Sequence, residues 1–141
     1  MRKETFLTRF ITLSLMVTLI GLQGCSLPEP PQSSPSIPTQ FADSQMPEGW
    51  WSDESIIEQG PELYLGRTKS LVNCADCHGK DGKPVKGRAR NFKGVNIRTT
   101  YSDDHLLWRI SEGVPFTRMG PYKERLSEEE IWKVIAFIGT F

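Results

Sequence analysis

The stretch NCADCHGK, residues 73–80, sets two cysteines three positions apart with a histidine directly behind them. The 141-residue chain has three cysteines and two histidines, so one turn of backbone holds two of its three thiols and one of its two imidazoles. Cys74, Cys77 and His78 form C-x-x-C-H, the attachment pattern of a c-type haem. Cysteines one helical turn apart can reach the two vinyl groups of one porphyrin and form a thioether with each. The histidine is then held beneath the iron and can bind it through one ring nitrogen. Other chemistries fit less well. A zinc site needs four ligands; His105 is the one other histidine, and adjacent Cys77 and His78 would strain a shared tetrahedron. A thioredoxin-like dithiol needs a βαβ setting, which the sequence does not show. A structural disulfide would explain the cysteines and leave the histidine unexplained.

The sixth iron position decides what such a haem does. Beyond the first 25 residues the methionines are Met46 and Met119. Met119 lies in VPFTRMGPY, between two predicted helices and among Pro115, Gly120 and Pro121. A thioether sulfur binds iron, and a loop can carry it to the face opposite His78. The structural alternative is a methionine filling a gap in the core. His105 is the rival ligand. It falls in the first turn of a predicted helix, where it would have to point inward to bind; otherwise it is a surface or haem-edge residue.

The elements that must position these residues read as helices, which predicts an all-α domain. Ser52 can cap a helix opening DESIIEQG, with Gly60 and Pro61 set to break it or to start it anew. Ser102 precedes DDHLLWRISEG, with acids at the start, an apolar face of Leu106, Leu107 and Ile110, and Gly113 as the stop. Ser127 and Glu130 fit a capping box. Ile131, Val134, Ile135 and Ile138 then follow the i, i+3, i+4, i+7 spacing of one buried face. The segment 79–93 reads as a loop rich in glycine, lysine and arginine, its charges a solvated surface. The expected domain, residues 53–141, is small for a self-sufficient core. Thioether attachment would act as a staple there. Leu106, Leu107, Trp108, Ile110, Trp132 and Ile135 are the candidates to line an apolar haem pocket.

Residues 1–24 read as a signal peptide. Arg2, Lys3 and Arg9 precede an apolar run from Phe10 to Leu22, shorter than the roughly 20 residues a membrane-spanning helix needs. The run ends in LQGC, which resembles the lipobox of bacterial lipoproteins and makes Cys25 the expected lipidation site. Residues 25–52 are expected to be that anchor site and a linker. Its SLPEPPQSSPSIPTQ holds Pro28, Pro30, Pro31, Pro35 and Pro38, which favour extended polyproline II over a packed core. Removing residues 1–24 takes away Arg2, Lys3, Arg9 and Glu4 and leaves 14 basic against 16 acidic residues. No nucleic-acid footprint follows from such a balance. The expected location is the periplasmic side of a membrane.

From about Gly60 to Phe141 the chain resembles class I cytochromes c, in Cys74, Cys77 and His78, in Met119, and in LSEEEIWKVIAFI as the C-terminal helix. The resemblance implies one haem c and His78 and Met119 as axial ligands. It also implies a C-terminal helix crossing the N-terminal one, with Gly60 or Gly66 beside Tyr64 allowing the close contact. One departure is LGRTKSLVN, which separates Tyr64 from Cys74 where the family usually runs closely into the motif. The family also tends to set a proline carbonyl on the histidine's free N–H; Pro84 is too near His78 for this, which leaves the acceptor unnamed. The implied function is electron transfer by a membrane-tethered monohaem carrier, not an enzyme. Its partners would be redox protein donors and acceptors, with no small-molecule substrate. The alternatives are a fixed haem subunit of a larger oxidoreductase and a gas- or peroxide-reacting haem protein.

Overall fold

The computed structural model describes residues 36–141. The signal-type segment, Cys25 and the first part of the proline-rich stretch lie outside the described residues. Among those described there are helices and no strands: α1 (Glu54–Ile57), α2 (Gly60–Tyr64), α3 (Ala75–His78), α4 (Ile97–Thr100), α5 (Asp103–Glu112) and α6 (Glu128–Ile138). None is long and apolar enough to cross a membrane.

The C-terminal helix α6 is the hub on which α1, α2 and α5 pack. Its N-terminus is the expected capping box: Glu130 N–H donates to Ser127 Oγ, and Ser127 N–H donates to the Glu130 carboxylate. Ile131, Val134, Ile135 and Ile138 are all buried, as are Trp132 and Ala136, so the buried surface is wider than one stripe. Helix α5 buries Leu106, Leu107, Trp108, Ile110 and Ser111 and stops at Gly113, whose φ is 75°. Ser102 occupies the N-cap position without capping; its hydroxyl turns to Asp104 instead.

The N-terminal helix is broken, as Pro61 requires, because a proline inside a helix lacks the N–H and crowds the preceding turn. Its first piece is capped by Asp53 and not by Ser52: Asp53 Oδ1 accepts from Ser55 N–H at 2.9 Å, while Ser52 Oγ donates to Gly49 O. The second piece, α2, crosses α6 at Gly60. A Cβ at Gly60 would stand 2.7 Å from the Lys133 carbonyl oxygen and overlap Phe137 Cβ, so only glycine fits the crossing. Tyr64, one turn on, meets the Phe137 ring edge-on at 5.3 Å. Of the two glycines proposed for this contact, Gly60 makes it.

Packing extends to the N-terminal side of residue 53. The folded unit begins at Ser36. Met46 is buried, its N–H donates to Asp103 Oδ2 at 2.8 Å, and Phe41, Trp50 and Trp51 lie against the core. Arg98 sits 5.1 Å above the Trp51 ring. Apolar residues spaced through a proline-rich stretch form a strap that follows neither the helix nor the strand period. Helix α4 was likewise not anticipated; Asn96 caps it by accepting from Thr99 N–H, and Ile97 anchors it in the core.

Candidate haem site

The long approach from Tyr64 to Cys74 is an irregular turn pinned at several points. Arg67 N–H returns to Glu62 O at 2.9 Å, Val72 is wholly buried, and Lys69 Nζ donates to Arg125 O and to Glu130, tying the turn to the start of α6. The chain then enters α3, one turn of helix. Asn73 Oδ1 accepts from Asp76 N–H at 3.1 Å, and Cys74 O accepts from Cys77 and His78 N–H. Cys74 and Cys77 therefore stand on one turn and form no disulfide.

The loop 79–93 folds back under His78. Its return is fixed by Val85 N–H to Cys77 O at 2.9 Å and by Phe92 N–H to Gly82 O at 2.8 Å. Two groups then meet the imidazole. The Arg90 carbonyl lies 2.9 Å from His78 Nδ1, and the Phe92 ring stacks on it at 4.6 Å and 14°. A carbonyl can only accept, so Nδ1 carries the proton and Nε2 keeps its lone pair. Burial lowers the His78 pKa, against a smaller upward push from the Arg90 carbonyl, and the neutral ring suits an iron ligand. The acceptor that the sequence left unnamed is thus a backbone carbonyl of the basic loop, with Phe92 as a second supporting group.

Met119 is half-buried against the core. Both its backbone groups are engaged: its carbonyl accepts from Val114 N–H at 2.9 Å, and its N–H donates to Thr117 Oγ1 at 3.1 Å. Tyr122 N–H closes the loop onto the last turn of α5 by donating to Ile110 O and Ser111 O. Burial raises the Tyr122 pKa. His105 is engaged elsewhere, stacked on Tyr101 at 5.6 Å and edge-on to Trp108 at 6.0 Å. The six pocket candidates of α5 and α6 are all buried. Among the described residues no three His, Cys, Asp or Glu side chains converge on a bare metal ion, so the zinc alternative gains no support. Two cysteines on one turn, an imidazole oriented through Nδ1 and a methionine sulfur on a tethered loop are a set of side chains that fits a c-type haem.

A family model described as cytochrome c oxidase, cbb3-type, subunit III matches residues 57–138. The chain belongs to this family. As a cytochrome c it carries one covalently bound haem c and serves haem-based electron transfer. Among solved structures this cytochrome is similar to the KustC0563 c-type cytochrome, at 34% identity over 58% of this chain and 95% of that one, with a TM-score of 0.49. No curated protein matches it.

Proposed function

We propose that this cytochrome is a class I carrier tethered on the periplasmic side of a membrane, with Cys74 and Cys77 as its thioether residues and His78 and Met119 as its axial ligands. The observation that carries the reading is the Arg90 carbonyl on His78 Nδ1, because it fixes the tautomer that an iron ligand needs and aims Nε2 away from the loop. When bound, the haem supplies reversible one-electron chemistry at its iron. The chain's own residues tune and guard it. Histidine with methionine favours ferrous iron and so a high potential. The buried α5 and α6 side chains lower the local dielectric and keep water out. With His78 and Met119 both bound to it, the iron would have no position for a substrate, and the domain would serve electron exchange.

The anchor rests on the sequence: a basic start, a short apolar run and LQGC favour a lipid on Cys25. A second reading is favoured by the family itself, which is described by a subunit of an oxidase. In that reading the domain is a fixed haem subunit of a larger complex.

Gentle solubilisation of membranes, followed by purification through a C-terminal tag, separates the two. A carrier elutes alone, and Cys25→Ser sends it to the soluble periplasmic fraction. Stoichiometric retention of larger oxidoreductase chains with both the parent and Cys25→Ser overturns the carrier reading in favour of the subunit.

A further inference from the structure

We infer that Phe116 is an apolar anchor with which this cytochrome docks a redox partner protein bearing an acid-rimmed apolar pocket; the inference rests on the electron-transfer reading above. Thr117 N–H donates to Val114 O at 3.2 Å, closing a four-residue turn with Pro115 second and Phe116 third. The φ of Phe116 is 60°. That is the position of a type II turn where glycine or asparagine is at ease and a bulky side chain is strained. Phe116 is also fully exposed, although phenylalanine is among the residues most often buried. The strain and the exposure both work against stability, and neither is compensated by a contact within the fold. Backbone strain of this kind is held where a function uses it.

The turn is rigid. Thr117 Oγ1 donates to Val114 O at 2.7 Å and accepts from Met119 N–H, while Met119 O takes Val114 N–H. The backbone of Phe116 is thus held in one place, three residues from Met119.

The surroundings supply the partner's character. Among the described residues the exposed large hydrophobics are Leu71, Val85 and Phe116. Leu71 and Val85 border the C-x-x-C-H turn, and Phe116 lies in the loop that carries Met119. Leu71 is three residues before Cys74 with its carbonyl held by Arg125, and the Val85 N–H donates to Cys77 O. A small apolar contact near the cofactor suits a transient redox interface, which lies at the low end of interface size. The loop 79–93 holds six basic residues and one acid, whereas the other described residues hold eight basic and fourteen acidic. Lys93 pairs with Asp81 and Lys86 with Asp76, and among the described residues Lys80, Lys83 and Arg88 form no ion pair. Cations concentrated beside the motif, on a domain otherwise acidic, steer an acidic surface towards it.

The test uses the full chain with its haem. The reduced protein is oxidised by membranes of the source cells, which contain the native acceptor, and separately by ferricyanide. Phe116→Gly is expected to raise KM for the membranes about tenfold, the cost of removing a central aromatic anchor, with kcat retained. Its haem spectrum, potential and ferricyanide rate stay those of the parent, and its folding stability is no lower, since the turn is relieved. Phe116→Trp restores KM. Lys83→Glu with Arg88→Glu raises KM further at low salt and flattens its salt dependence. A KM within twofold of the parent in Phe116→Gly overturns the inference. So does a shifted potential, which would make Phe116 a haem-packing residue. Phe116-dependent binding to phosphatidylglycerol vesicles overturns it as well, in favour of a membrane contact. If the parent itself exchanges no electron with ferricyanide, the electron-transfer reading fails, whatever Phe116 does.

Discussion

The Tyr64 hydroxyl donates a 2.7 Å hydrogen bond to the Gly79 carbonyl, and the Tyr64 carbonyl accepts from Cys74 N–H at 2.9 Å. One residue of α2 therefore grips both ends of the C-x-x-C-H turn. The hydroxyl is buried, and that burial raises its pKa, so it remains a donor at any physiological pH. Tyr64→Phe keeps the ring contacts with Phe137 and Phe141 and strands a buried carbonyl. A loss of about 1–3 kcal/mol is expected, read as a lower denaturation midpoint with unchanged slope. A Phe variant as stable as the parent would refute the grip.

The α2–α6 crossing gives the second prediction. Gly60→Ala drives a methyl group into Phe137 and the Lys133 carbonyl, and backbone cannot yield as a flexible side chain does. Overpacking of this kind costs about 1–3 kcal/mol or more. Gly120→Ala is the control, because a Cβ there meets nothing within 4 Å and its φ is not left-handed. Thermal unfolding should separate the two by several degrees, and equal melting temperatures would mean that the helices can part freely.

Acid sensitivity follows from Glu130, whose carboxylate serves both the capping box and Lys69. Burial alone would raise its pKa; the bonds from Lys69 and Ser127 outweigh that and hold it below its ordinary 4.5. A depressed carboxylate stabilises the fold above its unfolded pKa and loses that contribution as pH falls through the folded value. Glu130→Gln should therefore cost about 1 kcal/mol at neutral pH, and the gap from the parent should close as the pH is taken well below 4.5. Denaturant titrations at pH 7 and pH 3 measure both. A gap that persists at pH 3 would show that the carboxylate's charge contributes nothing.

Met119 bears on function most directly. Met119→Ala is expected to abolish the weak absorption band near the red end of the oxidised spectrum and to lower the reduction potential, since a ligand favouring ferrous iron is lost. The reduced variant should also bind carbon monoxide. His105→Ala, which removes a ring already engaged by Tyr101 and Trp108, should change none of these. The opposite pattern would assign His105 as the distal ligand and make the protein a low-potential carrier.

Local chemistry made part of this protein readable from its sequence. C-x-x-C-H works through covalent spacing along one turn, so no distant residue is needed to recognise it. The Ser127–Glu130 box, the Ile131 to Ile138 face and the Gly113 stop act within a few residues, and all three stand as read. Tertiary structure decided the rest. Every residue offers a carbonyl, so nothing in the sequence marks Arg90 as the one that meets His78; only the fold-back of the loop brings it there. Met46, Trp50 and Trp51 looked like linker because they have no helical or strand period, and they pack only because Asp103 and the surfaces around Arg98 and Gly139 exist to receive them. Ser52 and Ser102 look like caps, but which side chain caps a helix depends on backbone angles set by what the helix packs against: Asp53 took the first role, and the Ser102 hydroxyl went to Asp104. Spacing along the chain fixes covalent and single-turn chemistry, whereas contacts between residues far apart in sequence exist only once the chain has closed on itself.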